Sequence, residues 1–187
     1  MTTTSTGTRS YVIDPAHSSA QFTVRHMMIT NVRGAFSNVK GTMVYDAANP
    51  GDSSIETVID ATTINTQDAQ RDGHLKSGDF LDVEHFPTIT FKSTKVATAS
   101  DGELSVTGDL TIHGVTKQVV LKAETPSSEG KDPWGNLRIG ASGSTKIKRS
   151  DFGLTWNAAL ETGGFLVGDD IKIDLEVQAI KAAASAA

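Results

Sequence analysis

The sequence predicts an all-β protein, an eight-stranded antiparallel barrel with one short helix near one end. Three observations predict this fold class. Apolar and polar residues alternate with period two over most of the chain, as expected for strands with one buried face. Clusters of turn residues, such as Asn49-Pro50-Gly51-Asp52, separate these stretches and favour hairpins over helical crossovers. The 187 residues, of which 37% are hydrophobic, suffice for one domain with a sizeable core.

Eight long stretches carry the alternation, after a short extended piece at Tyr11–Asp14. In Glu103–Ile112 the pattern is clearest, with leucines, valine and isoleucine alternating with polar residues. Closing a barrel or stacking two sheets would bury the apolar face of each strand and protect the strand edges, and of the two we favour the closed barrel. The predicted strands are Ser18–Arg25, Ala35–Tyr45, Ser54–Ala61, Thr88–Val96, Glu103–Ile112, Lys117–Glu124, Asn136–Lys148 and Asp170–Ala179.

The helix is predicted over Gln67–Ser77, with Asn65-Thr66 as its N-cap and its end near Gly78. Few of its residues are apolar, so we expect it to lie on the surface or across an opening. Arg71 and His74 share a helix face at 3.6 residues per turn. That face either presents a cation and an imidazole to a ligand head group or is simply solvated.

Small side chains stand at six positions that the alternation points inward. A barrel of eight strands is either filled by its own side chains or holds one small ligand, and the bulk of the inward residues decides between the two. The small residues therefore predict unfilled space, unless they pack under the helix or mark bulges. They are Ala61, Ser93, Gly108, Ala123, Ala141 and Gly143.

Composition excludes several function classes. The net charge of -5 is spread without long blocks, so a nucleic-acid partner is not expected. Strictly apolar runs never exceed three residues, whereas a membrane-spanning helix needs about 20. The Thr-rich start lacks the features of a secretory signal, which predicts a cytoplasmic location, or a periplasmic or extracellular one if a leader was removed.

Motifs for catalysis or for metal binding are weak. No histidine pair has the His-Glu-x-x-His spacing of zinc hydrolases, and no Gly-x-Ser-x-Gly elbow or phosphate-binding loop occurs. We therefore predict no catalytic residues, no metal and no cofactor. A metal site built from His17, His26 and His74, which are distant in sequence, stays open as an alternative.

Several long motifs, in the same order along the chain, resemble the YceI-like family of bacterial lipid-binding proteins. The resemblance covers about residues 10 to 180. Its motifs are Asp14-Pro15-Ala16-His17-Ser18 leading into Phe22-Thr23-Val24-Arg25-His26, then Arg71-Asp72-Gly73-His74-Leu75-Lys76-Ser77-Gly78-Asp79-Phe80-Leu81-Asp82, Phe86-Pro87-Thr88-Ile89-Thr90-Phe91-Lys92-Ser93, Gly108-Asp109-Leu110-Thr111-Ile112-His113-Gly114-Val115-Thr116-Lys117, Asp132-Pro133-Trp134-Gly135 and Lys148-Arg149-Ser150-Asp151-Phe152-Gly153-Leu154.

The resemblance implies a lipocalin-like barrel over residues 10–180, with flexible termini at 1–9 and 181–187. It also implies a ligand: a long amphiphilic lipid, foremost a polyisoprenoid such as an isoprenoid quinone or a prenyl diphosphate, held for transport, storage or sequestration. Homodimers are common in the family. One departure is Ala141, where relatives commonly have an aromatic residue in this strand; the smaller side chain either widens the pocket or only changes its shape.

Apolar inward residues and polar residues near the mouth are the expected ligand contacts. Arg71, His74 and His26 are the candidates for orienting the head group. The alternative is an enzyme acting on a lipophilic substrate, with His74 as acid or base and Arg71 steadying an anion. The full predicted set is Phe22, Val24, His26, Phe36, Met43, Ile59, Arg71, His74, Phe80, Phe91, Leu110 and Trp156.

Overall fold

The computed structural model describes residues 7–183, which form eleven strands, one α-helix and four short 3-10 helices. Helix α1 spans Ala69–Lys76, and the 3-10 helices lie at Pro15–His17, Pro50–Asp52, Ala61–Thr63 and Arg149–Phe152. The strands are β1 (Arg9–Ile13), β2 (Ser19–His26), β3 (Thr30–Phe36), β4 (Val39–Tyr45), β5 (Ser54–Asp60), β6 (Thr88–Thr98), β7 (Leu104–Ile112), β8 (Val115–Ala123), β9 (Gly130–Lys131), β10 (Leu137–Lys148) and β11 (Val167–Lys181). Within this part of the chain, no helix is long and apolar enough to cross a membrane.

The strands close into a barrel of eight, because two pairs of short strands each act as one broken strand. Strands β1 and β2 pair with successive parts of β11, and β3 and β4 follow each other across a two-residue break. From there the order runs β5, β6, β7, β8 and β10, and β10 pairs back onto β11 over Arg138–Lys148. All these pairings are antiparallel, so the predicted eight-stranded, lipocalin-like barrel is confirmed.

The structure differs from the sequence prediction at the breaks and at the ends. The predicted strand Ala35–Tyr45 is split where Asn38 takes a positive φ of 59°, and β3 before it was not predicted. Arg9 pairs with Tyr45 and Lys181 pairs with Tyr11, so these two residues, assigned to flexible termini, are strand residues. The rest of the predicted flexible termini includes residues 1–6 and 184–187, which lie outside the described residues.

Helix α1 begins at a different cap from the predicted one. The Asp68 carboxylate accepts a hydrogen bond from the Arg71 amide at 2.9 Å, which makes Asp68 the N-cap. Asn65-Thr66 is therefore wrong as a cap, because Gln67 has a φ of 64° and turns the chain before the helix starts. Leu75 is directed into the barrel interior, as expected for a short polar helix lying across an opening.

The two ends of the barrel differ. We call the end that carries α1 the helix end; the turns β2–β3 and β7–β8 and the start of β11 lie there too. At the opposite end, the segment between β8 and β10 folds back on the barrel: the Glu124 amide donates to the Ser142 carbonyl at 3.0 Å and the Ser127 amide to the Gly140 carbonyl at 2.9 Å. The two ends of the barrel interior are therefore closed by different segments of the chain.

An arginine clamp ties the loops outside the barrel to its wall. Arg138 of β10 donates to Asp14 and to Asp132, with nitrogen–oxygen distances of 2.6 Å for both pairs. Hydrogen bonds from Arg138 and then His17 lower the pKa of Asp14 to about 2. The Arg138 guanidinium also holds the pKa of Asp132 well below its usual range. Both carboxylates are thus stabilised in their charged form.

Acid should therefore weaken the fold through this clamp. A carboxyl group whose pKa is lower in the folded state contributes stability above its unfolded pKa, and that contribution is lost as the pH falls from about 4 to about 2. Replacing Arg138 by glutamine should lower stability at neutral pH and flatten the loss between pH 4 and 2. Urea unfolding at each pH measures both effects; an unchanged slope with pH would contradict the role of Arg138.

Candidate functional site

The barrel interior at the helix end is an apolar chamber of about 200 Å³. Because one water molecule needs about 10–15 Å³ of such space, the chamber exceeds the size of a packing defect. Inward side chains of strands β2 to β8, β10 and β11 form its wall, and Leu75, Leu81 and Leu154 contribute from the helix end. Its size and its apolar wall suit a hydrocarbon ligand.

A second chamber of about 90 Å³ lies toward the opposite end. It is lined by Met43, Val106 and Pro126 among others, and four residues line both chambers. These four form what we call the waist: Ile55, Leu121, Leu175 and Val177. Because the two chambers share these four wall residues, they lie end to end along the barrel, and we refer to the two together as the tube.

Several inward side chains are only half-buried, although they point into the barrel. Phe22 and Phe36 are examples, with their ring centroids 5.7 Å apart. In a filled barrel such residues would be covered by one another, as protein interiors are packed like organic crystals. Their remaining exposure is therefore surface that a guest molecule can cover.

One charged side chain, Arg149, lies in the wall of the larger chamber as far as residues 7–183 define it. Only 6% of it is exposed, and burial lowers its pKa. Its guanidinium donates to the carbonyls of Gly168 at 2.9 Å, Leu154 at 2.7 Å and Trp156 at 2.8 Å, with Val167 at 3.3 Å. Arg149 thus ties the loop before β11 to the end of β10 while bringing positive charge to the chamber.

The apolar residues predicted from the sequence mostly come together. Met43 lines the smaller chamber, and Trp156 packs on Phe80 with ring centroids 5.3 Å apart. Seven of the predicted residues line the larger chamber: Phe22, Val24, Phe36, Ile59, Phe80, Phe91 and Leu110.

The polar residues predicted for the head group make other contacts. Arg71 Nε donates to the Thr66 hydroxyl at 2.8 Å, and its Nη2 donates to the Thr66 carbonyl at 2.9 Å. His74 Nε2 lies 2.8 Å from Asp79 Oδ2, and its ring packs edge-on against Phe80 and Trp156. None of these polar groups lines either chamber.

The third head-group candidate, His26, lies at the β2–β3 turn, opposite Val167 in the register of β2 with β11. It does not line either chamber in the described residues. His17 precedes the eight-residue strand β2 and His26 is its last residue, so the two lie about 25 Å apart at 3.3 Å per residue. A metal site from His17, His26 and His74 is therefore wrong, because the strand holds its members apart.

The small residues explain only part of the space. Ala123, Ala141 and Gly143 line the smaller chamber, as predicted. Gly108 instead makes room for the ring of Phe91, which occupies the place where a side chain on residue 108 would lie. Ala61 is packed in the core.

Ser93 is the sixth small residue, and its hydroxyl has a structural role: it accepts a hydrogen bond from the Ile55 amide at 2.9 Å, where β6 bulges against β7. Half of the small residues therefore do not enlarge the cavity.

Sequence reasoning missed Arg149 and the waist. Arg149 follows Lys148, which faces solvent. Two consecutive charged residues at a strand end do not indicate from the sequence that one of the side chains is buried. Leu175 and Val177 alternate with polar residues in the predicted last strand, so their direction was predictable but not their shared position between two chambers.

Comparison with known proteins places this barrel in a family. The sequence pattern of the YceI-like domain matches residues 11–179. The chain belongs to the YceI-like family. A UPF0312 protein from Shewanella denitrificans is 40% identical to it over 180 residues, which are 95% of this chain and 91% of that protein.

Solved structures share the YceI-like fold. BcnA of Burkholderia cenocepacia superimposes with a TM-score of 0.77 at 24% identity, covering 89% of this chain and 98% of that protein. A polyisoprenoid binding domain from Saccharophagus degradans, implicated in plant cell wall breakdown, gives a TM-score of 0.67 at 18% identity, covering 93% and 99%. At these sequence identities the two matches show a shared fold.

Proposed function

We propose that this YceI-like protein binds one long amphiphilic lipid, most simply a polyisoprenoid, in its barrel and carries, stores or sequesters it without catalysis. The observation that carries the proposal is the two-chamber apolar tube with half-buried inward side chains. The similar domain from Saccharophagus degradans, described as polyisoprenoid binding, supports the same class of ligand.

The tube favours a chain over a compact ligand. Each CH₂ group that leaves water contributes on the order of 0.8 kcal/mol, so one five-carbon unit contributes roughly 3 kcal/mol before ordering costs. A few units therefore give tight binding without polar contacts. We place the head group at the helix end, where Arg149 supplies positive charge beside an otherwise apolar wall.

The decisive experiment is native mass spectrometry of the purified protein, followed by solvent extraction and identification of the lipid. An added mass that is released as an isoprenoid supports the proposal and names the ligand. If the protein carries no added mass, a titration with prenyl alcohols of increasing length follows, and failure to bind any of them contradicts the proposal.

The waist should set how long a chain the protein accepts. Leu175 is flanked across the sheet by Gly143 and Ala20, so a larger side chain has room to turn into the tube. Leu175→Trp should leave short prenyl chains bound and weaken the longest ones by about tenfold or more, because the lost CH₂ contacts are each worth on the order of 0.8 kcal/mol. Titration with a chain-length series measures the change.

A tryptophan on the outer face provides the control. Glu176 is exposed beside Leu175, and Glu176→Trp adds the same side chain outside the barrel. It should leave the chain-length preference unchanged. Equal loss for short and long chains in Leu175→Trp would contradict a continuous tube through the waist.

A further inference from the structure

The turn between β2 and β3 exposes a compact apolar surface at the helix end. Met28 is 61% exposed and Ile29 is 68% exposed, while Phe165, in the neighbouring loop before β11, is 62% exposed. The Met27 amide donates to the Leu166 carbonyl at 2.8 Å, and the Met28 sulfur packs on Gly164, so the turn and the loop form one unit. We call Met27, Met28, Ile29 and Phe165 the apolar tip.

The backbone of the tip is unusual for the residues it carries. The Ile29 amide donates to the His26 carbonyl at 3.1 Å, closing a tight turn whose central residues, Met27 and Met28, have φ values of 49° and 61°. Asparagine and glycine adopt these left-handed conformations readily, whereas bulky residues do so at a cost. Strain kept at an exposed site points to a role for the two side chains outside the fold.

Positive charge lies directly behind the tip. Arg25 and Arg33 are exposed on the outer face of the β2–β3 ribbon, where Arg25 pairs with Asn31 and Arg33 pairs with Thr23, two residues farther from the turn. Arg25 bonds to Asn31 at 3.4 Å, and neither arginine forms an ion pair within residues 7–183. Although the net charge of the chain is -5, two arginines without such an ion pair lie beside the apolar tip.

We infer that the apolar tip docks on an anionic lipid bilayer. Two interactions hold peripheral proteins on membranes: apolar side chains insert into the headgroup region, and basic residues are attracted to anionic lipids at the surface. Val24 and Val167, which flank the tip in β2 and β11, line the larger chamber, so docking brings that chamber to the bilayer. The docking itself does not depend on which ligand fills the barrel.

Co-sedimentation with vesicles of equal parts phosphatidylglycerol and phosphatidylethanolamine tests the inference. The wild-type protein should sediment with these vesicles and much less with phosphatidylcholine alone. The double variant Met27→Asn/Met28→Gly suits the turn better, so it should melt no lower than wild type while binding vesicles about tenfold less. Arg25→Gln/Arg33→Gln should lose a similar factor on anionic vesicles only.

A matched apolar residue at the other end of the barrel provides the control. Trp134, in the loop between β9 and β10, is 81% exposed, and Trp134→Ala should leave vesicle binding unchanged. The inference is overturned if wild type ignores anionic vesicles, if Trp134→Ala loses as much as the tip variant, or if light scattering shows that the tip instead pairs two copies of the chain. Retention of the barrel lipid by the tip variant is measured separately, without vesicles. A variant that keeps its lipid but does not bind vesicles has lost docking alone, so the proposed function is not affected by that result.

Discussion

Replacing Phe91 by arginine should abolish lipid retention. Phe91 is buried in the wall of the larger chamber, between Thr57 of β5 and Leu110 of β7, with its ring over Gly108. A guanidinium there must either lose its hydration or draw water into the tube, and both oppose an apolar chain. We expect affinity for a prenyl chain to fall by at least about 100-fold, which corresponds to some 2.7 kcal/mol.

Two further variants distinguish loss of binding from unfolding of the protein. Val119→Lys places a charge at a half-buried wall position and should disturb packing less than the change at Phe91. Val58→Arg puts arginine on the exposed outer face of β5 and should retain lipid. Thermal melts and lipid extraction are run on all three. Retention by both inward variants would contradict this chamber as the binding site.

The course of the strands was predictable because alternation records which face each strand buries. The hairpin β7–β8 shows this best: its residues alternate as predicted and pair in register from Leu104 to Ile112. The break at Asn38 was missed, although asparagine tolerates the left-handed conformation, because alternation does not record a change of backbone conformation at one residue. A single residue in the left-handed region there divides one long strand into two.

The walls of the site followed from the same alternation, whereas the polar contacts did not. Phe22 and Phe91 point inward because each lies on the apolar face of its strand, and that face is buried inside the barrel. Arg71 and His74 share a helix face, but the preceding turn brings Thr66 to Arg71, and Asp79 follows closely enough to reach His74. Such contacts depend on the path of short loops, which periodicity does not describe.

Arg149 should be the most costly polar residue to remove. Its guanidinium serves four backbone carbonyls between Leu154 and Gly168, in a site that is nearly closed to water. Each carbonyl left buried without a donor costs about 1–3 kcal/mol. Arg149→Met should therefore lower the free energy of unfolding by roughly 3 kcal/mol or more, and the melting temperature by about 6–12 °C.

The neighbouring Lys148 supplies the comparison, because it is exposed and its ammonium pairs with Asp170 at 3.2 Å. Lys148→Met should leave the melting temperature nearly unchanged, because an exposed ion pair contributes little to stability. Replacing a buried charge by an apolar side chain is often harmless when its partner is replaced too, but the partners of Arg149 belong to the backbone and remain. Arg149→Lys, with three donors instead of five, should fall between the two. Equal melting temperatures for Arg149→Met and Lys148→Met would contradict this role of the guanidinium.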